Sequence, residues 1–363
     1  MALAIPKTMK AAVAEKHNAP LVIKEVPVPS VEPDEVLVKI VASGICHSDL
    51  HIADGEMPAM MRLPLIPGHE GVGIVVKLGS AVKHLKLGER VAIGNVNSSC
   101  NACVECHEGR ENHCRKYVQT GGGSDGCYCD YQKVHGQYAI KIPDGVAFTE
   151  AAPVACAGHT VYSAVRQIKQ RPGTWVAVIG IGGLGHLAIQ YATALGYQVI
   201  AIDVAQEKLD LGVRLGAKKA FSATNPKLAS EVMKFTDGGC MGVIVTAVHE
   251  SAFATSIKIA RMNATCVWIS LPSNPIQIVP KIVVFKALQI TGVILGTRAE
   301  LAEAYRLVAN GVVKPIVETV SLDEINTAWN NMRAGKFAAR TVIVIDPKLI
   351  DLKTAASAAQ LKL

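Results

Sequence analysis

The chain has 363 residues, of which 50% are hydrophobic and 18% charged, with a formal net charge of +7. At about 150 residues per domain this length predicts two domains or slightly more, and the apolar fraction supplies a core that excludes general disorder. No apolar run reaches the ~18–20 residues needed to span a bilayer, so no membrane role is expected. The scattered bases fit anionic small molecules as readily as nucleic acid, and no nucleic-acid partner is expected.

In chain order, residues 1–13 hold neither a secretory apolar stretch nor an arginine for a mitochondrial presequence, so the expected compartment is the reducing cytoplasm. Ten cysteines in that setting read as metal ligands before disulfides. Runs at 36–41, 73–77 and 90–93, bounded by Gly, Pro and Asp, predict strands in an irregular, mostly β region. The polar segment at about 97–126 is a loop too long to stand without an internal staple. From residue 151 the texture changes. Predicted strands at 175–179, 198–202, 242–247, 264–270 and 289–294 alternate with helices, one through Leu187, Ile189, Tyr191 and Leu195, another carrying Leu209, Val213 and Leu215. Such alternation predicts a doubly wound parallel sheet, an α/β architecture. Helices at 300–309 and 322–334, a strand at 341–345 and a peripheral tail complete the chain. The final Leu361-Lys362-Leu363 lacks the small residue of a peroxisomal address and is not read as one.

Gly180-Ile181-Gly182-Gly183-Leu184-Gly185 fits GxGxxG, follows a predicted strand, opens a helix, and is followed by Asp203 at the end of the next strand. That context distinguishes a dinucleotide site from a bare glycine turn, because the backbone can approach a pyrophosphate whose charge meets the helix N-terminus. Asp203 can accept from ribose hydroxyls and would repel a 2′-phosphate. Val204 and Ala205 offer no arginine to hold one, so NAD is favoured over NADP.

Cys100-x2-Cys103-x2-Cys106-x7-Cys114 places four thiols in one polar loop, a set suited to a closed tetrahedral zinc site. The spacing lacks the Cys-x3-Cys-Pro ending of bacterial ferredoxins, and Glu105, Glu108 and Glu111 beside Arg110, Arg115 and Lys116 make no basic footprint. Cys127 and Cys129 read as free thiols on one face of a strand, with a CxC metal site as the alternative. Cys240 and Cys266 read as loop and core residues.

The GHExxG signature at 68–73, the four-cysteine loop and the glycine fingerprint occur in an order that resembles zinc-containing medium-chain alcohol dehydrogenases over residues 10–346, closest to the yeast-type tetrameric branch. The resemblance implies a GroES-like catalytic domain at 1–157, a Rossmann cofactor domain at 158–290 and a return to the catalytic domain at 291–363. It implies two zinc ions per chain and NAD. Cys46, His69 and Cys156 match the catalytic-zinc ligands, Asp49 the carboxylate orienting the histidine, and Glu70 a residue beside the metal. Ser48 and His51 match the proton relay, His47 and Arg340 pyrophosphate contacts, Thr160 a nicotinamide contact and Lys208 a ribose contact. Positions where yeast-type ethanol enzymes carry bulky aromatics match Ala53, Met57 and Asn95, with Ile294 and Leu295 on the far wall, which implies alcohols larger than ethanol. The implied activity is reversible hydride transfer between an alcohol and NAD in a homotetramer. The alternatives are an NADP-linked aldehyde reductase or polyol dehydrogenase of the same superfamily, and a zinc-stapled binding protein on a dehydrogenase fold. Asp203 argues against NADP, Cys156 against the polyol branch, which commonly carries a carboxylate there, and the complete ligand set against the binding protein.

Overall fold

In the computed structural model the described residues are 5–56, 62–272, 274–336 and 339–354. They divide into two compact units, one made of 1–156, 297–309 and 315–363, the other of 157–296 and 310–314.

The first unit is built on a seven-stranded sheet whose path runs Val317–Ser321, Arg340–Val344, Glu35–Gly44, Gly71–Leu78, Arg90–Ile93 and Ala139–Lys141, with Tyr131–His135 also paired to Glu35–Gly44. The ten-residue central strand Glu35–Gly44 is buried along nearly its whole length, and its β-branched and aliphatic residues suit a strand covered on both faces. Two glycines of the GHExxG run belong to its neighbour Gly71–Leu78. A β-carbon on Gly73 would lie 2.0 Å from the Lys39 carbonyl oxygen, so the two strands meet this closely only because the position is glycine. The hairpin Thr8–Val13 with Val22–Pro27 packs its apolar face into a core containing Ile45, Leu50, Ala53, Ile66, Tyr128 and Trp329.

The second unit is a six-stranded, all-parallel sheet in the spatial order Lys219–Ser222, Gln198–Asp203, Trp175–Ile179, Cys240–Val245, Ala260–Trp268, Gln289–Gly292. Counted within the unit this is 3-2-1-4-5-6, the doubly wound order, whose reversal between the first and fourth strands marks where ligands bind in such sheets.

Three sequence expectations are corrected. Cys127 and Cys129 are not on a strand. They lie in bends ahead of Tyr131–His135, with an isolated bridge from Cys129 to Ala11 and a hydrogen bond from the Cys127 N–H to the Gly68 carbonyl at 2.9 Å. On the helix Gln206–Arg214, Val213 points outward, and the buried face is Leu209 with Gly212. A β-carbon on Gly212 would meet that of Ala201 at 2.7 Å, so this helix sits closer to its sheet than apolar periodicity conveys. The predicted helix at 322–334 begins as a 3-10 turn, Leu322–Glu324, with an α-helix at Ile325–Arg333.

Candidate active site

The first unit gathers two clusters of soft ligands. Cys46 is the N-cap of the short helix His47–Ala53, and its backbone N–H donates to Asp49 Oδ2 at 3.0 Å. Asp49 Oδ1 accepts from His69 Nδ1 at 2.6 Å, and the other ring nitrogen of His69 lies 3.2 Å from Cys156 Sγ. Cys156 sits in a π-helical turn, Val154–Gly158, between two α-helices, a distortion frequent at functional sites. The ligand atoms of Cys46, His69, Glu70 and Cys156 all fall within 4.8 Å of one another.

The members of this cluster shift one another's titration. Cys156 donates a hydrogen bond to Cys46 and, with His69 and Arg340, holds the Cys46 thiol well below its usual range against the effect of burial. That same hydrogen bond, with burial, pushes Cys156 well up. Burial works against a charged His69, but Asp49 and Cys46 override it and raise the imidazole well above its usual value. Burial raises the Glu70 carboxyl to about 7, with Arg340 opposing. Arg340 is itself buried and donates through Nη2 to both Glu70 oxygens, while its Nε has no hydrogen-bond partner among the described residues. The donor set of two thiols, one imidazole with its far nitrogen anchored, and a nearby carboxylate fits a zinc site with an open position.

The second cluster, Cys100, Cys103, Cys106 and Cys114, also lies within 4.8 Å, with Cys100–Cys114 and Cys103–Cys106 sulfur separations of 3.5 Å. All ten cysteines are free thiols. Sulfurs on one tetrahedral zinc stand about 3.5–4 Å apart, so these distances fit a metal and not a disulfide. Hydrogen bonds from the Ala102 backbone, from Cys114 and from the Cys103 backbone bring Cys100 down to about 6, toward the ligating thiolate. Ser99 Oγ lies 3.1 Å from Cys106 Sγ and 2.6 Å from the Tyr138 hydroxyl. Arg298 stacks over the Tyr138 ring and pairs with buried Glu111. The sequence marks the four cysteines, but not this polar brace.

In the second unit the glycine turn has three separable parts. Gly180 takes φ +93°, and a β-carbon there would be 2.8 Å from the Ala247 nitrogen. A β-carbon on Gly182 would meet nothing within 4 Å, which leaves that face of the turn open. On Gly185 it would fall 1.8 Å from the Gly180 carbonyl oxygen, so this glycine seats the helix Gly185–Ala194 on the turn. Leu184 is the N-cap of that helix. Asp203 accepts from the backbone nitrogens of Ile181, Val204 and Ala205 at 2.6, 2.7 and 3.1 Å. Thr246, unmarked in the sequence reading, donates to the Gly180 carbonyl at 2.6 Å and fixes the turn from the fourth strand.

The remaining expected residues fall as follows. Ser48 and His51 stand three apart on the helix His47–Ala53 and share a face. Ser48 is the second residue of that helix and not its cap. His51 Nδ1 pairs with Glu56 at 2.6 Å, a partner the sequence reading did not mark. His47 is exposed, Thr160 is buried on the helix His159–Gln167, and Lys208 is half-buried on Gln206–Arg214. Ala53 is buried in the core of its unit, Asn95 is half-buried, Ile294 is exposed and Leu295 buried. Met57 lies outside the described residues.

A mostly β unit with two clusters of soft ligands, together with a doubly wound unit of dinucleotide type, has the make-up of the zinc-type medium-chain dehydrogenase class. Residues 32–144 match the alcohol dehydrogenase GroES-like domain and 183–310 the zinc-binding dehydrogenase family. An alcohol dehydrogenase of Geobacillus stearothermophilus is 44% identical over 340 residues, covering 93% of this chain and 100% of the relative. Among solved structures, a cinnamyl alcohol dehydrogenase of Sorghum bicolor has a TM-score of 0.86 at 27% identity, covering 93% of this chain and 98% of its own. The alcohol dehydrogenase of the archaeon Aeropyrum pernix has 0.85 at 29%, covering 93% and 100%. The chain belongs to the zinc-type medium-chain alcohol dehydrogenase family, and it is an enzyme of alcohol dehydrogenase type.

Proposed function

We propose that the chain is an NAD-linked, zinc-dependent alcohol dehydrogenase that interconverts primary and some secondary alcohols with aldehydes or ketones, and that it works in the cytoplasm as a homotetramer of the yeast type. The observation that carries the reading is the Cys46–His69–Cys156 cluster with Asp49 anchoring the imidazole. Cys46, His69 and Cys156 would hold a catalytic zinc, and Cys100, Cys103, Cys106 and Cys114 a structural one. When bound, the catalytic zinc supplies a Lewis acid that makes an alcohol proton easier to remove and a carbonyl easier to reduce.

The chain's own groups supply the rest. Ser48 takes the hydroxyl proton and His51 passes it toward solvent. The Glu56 carboxylate can only accept, so its contact with Nδ1 places the ring proton there and leaves Nε2 for transfer. The Gly180–Gly185 turn and the helix it opens receive the pyrophosphate, and Asp203 the adenosine ribose. His47, Arg340, Thr160 and Lys208 are the proposed further cofactor contacts. NAD rests on Asp203, whose carboxylate is held at the end of its strand by three backbone N–H groups and would meet a 2′-phosphate as a like charge. Substrates larger than ethanol rest on Asn95, half-buried where the resemblance places a bulky aromatic, whereas Ala53 packs into the core of its unit. Self-association is supported by the edge strand Gln289–Gly292, beside which Val284 and Phe285 are 75% and 68% exposed.

The test is a kcat/KM panel of short, long, aromatic and secondary alcohols with NAD and NADP. Turnover with NAD rising from ethanol toward hexyl or benzyl alcohol is expected. No NAD-linked turnover of any alcohol refutes the reaction, and ethanol as the best substrate refutes the substrate-size reading.

A further inference from the structure

Between the two inert thiols Cys127 and Cys129 stands a residue whose hydroxyl reaches the metal-type centre. We propose that Tyr128 is a positioning residue of that centre: its phenol fixes Asp49, and through Asp49 the tautomer and aim of His69. The inference rests on the reading of Cys46, His69 and Cys156 as zinc ligands.

Tyr128 is fully buried and its hydroxyl donates to Asp49 Oδ2 at 2.8 Å. Asp49 is also fully buried. Its Oδ1 takes the His69 Nδ1–H at 2.6 Å, and its Oδ2 takes the Cys46 N–H at 3.0 Å as well as the phenol. The Cys46 contact comes from Asp49's own helix start, so on its own it leaves the carboxylate able to swing about that helix. The phenol arrives from a different segment and closes the swing. A ligating histidine depends on such a fixed acceptor, because the hydrogen bond at one nitrogen decides which nitrogen is left for the metal.

Tyr128 is itself held on several sides. Its N–H donates to the Pro67 carbonyl at 3.1 Å, and its carbonyl accepts from Ala12 at 2.9 Å. Its ring lies so close to Gly68 that a β-carbon there would be 2.5 Å from Cδ1. Trp329 meets it edge-on, with ring centroids 6.3 Å apart. The glycine of the GHExxG signature thus makes room for the ring that supports the histidine beside it. Burial, and then Asp49, push the phenol well above its ordinary range, so it remains a donor.

Tyr128→Phe removes the hydroxyl and keeps the ring. In the zinc-loaded enzyme, chelator-driven loss of one of the two ions is expected to become ~10-fold faster, within the range for lost outer partners of a ligating histidine. With cobalt in place of zinc, the visible bands are expected to shift. Met332→Ala opens space in the same buried core and leaves the phenol in place, and is expected to lower the thermal midpoint while leaving those bands unchanged. Unchanged metal release and cobalt bands in Tyr128→Phe, or equal band shifts in both variants, overturn the proposal. A wild-type chain that holds an ion only at the four-cysteine loop overturns the reading of the centre, and this proposal with it.

Discussion

A β-carbon at Gly44 would lie 1.9 Å from Glu70 Oε2, so the carboxylate reaches Arg340 only because the residue two before Cys46 has no side chain. Gly44→Ala is therefore expected to force the buried ion pair aside and lower stability by ~1–3 kcal/mol, the usual range for overpacking. A denaturant titration that superimposes on wild type would show that Glu70 can move without cost. Asp203 holds the turn and, in the proposed reading, selects the cofactor, and its substitution should reveal both. Asp203→Asn keeps one acceptor for the three backbone N–H groups and loses the charge that repels a 2′-phosphate. The NAD:NADP ratio of kcat/KM is expected to fall about 10-fold or more, since like-charge contact costs several kcal/mol. Wild-type enzyme using both cofactors equally well would remove Asp203 from selectivity. His51→Gln is expected to slow turnover most at neutral to mildly acidic pH, where a general base is most needed. A pH–rate profile identical to wild type would exclude His51 from the relay.

At the scale of elements, most strands and both clusters of candidate ligands are legible in the sequence, and their supports are not. Arg90–Ile93 and Trp175–Ile179 match the predicted bounds, because short β-branched runs between turn residues have few other ways to pack. The four-cysteine loop declares itself by spacing alone. Tyr128 and Thr246 do not, because a hydroxyl acting across the fold leaves no periodicity in the sequence. The same applies to the ion pair between Lys39, on the central strand, and Asp346, just beyond the final one, at 2.9 Å with both side chains mostly buried. Burial opposes the Lys39 charge, but Asp346 outweighs it and raises the ammonium above 10.5. A raised lysine contributes stability that is complete below its unfolded value and is lost as pH climbs through the folded one. Asp346→Asn should thus cost about 1–3 kcal/mol near neutrality, as for a hydrogen bond to a charged group. The difference from wild type should shrink as the pH climbs past the ordinary lysine range and through the raised folded value. A gap that stays constant from neutral to alkaline pH would mean that the pair contributes by shape and not by charge.

For the molecule as a whole, the doubly wound sheet and the two candidate ligand clusters follow from the chain's alternation and motifs, whereas the proposed assembly would rest on a surface that no motif marks. Among the described residues the parallel sheet ends at Gln289–Gly292, which pairs with a neighbour on one side only. Unpaired strand edges invite pairing unless they are blunted by charge, proline or a covering element. This edge follows a helix, Pro280–Lys286, that exposes Val284 and Phe285, and Ile294 just past the strand is 55% exposed. A contiguous apolar patch marks an interaction site more often than a solvated face, and these side chains are the candidates for one. Two copies meeting edge to edge about a two-fold axis would satisfy the unpaired backbone groups and cover the same side chains on both partners. Sedimentation of the wild-type enzyme is expected to give four chain masses. Phe285→Glu places a charge in the proposed contact while leaving both thiol clusters untouched, so it should yield smaller species that still carry two zinc ions per chain. A monomeric wild type, or a Phe285→Glu variant that sediments unchanged, would assign this edge to solvent.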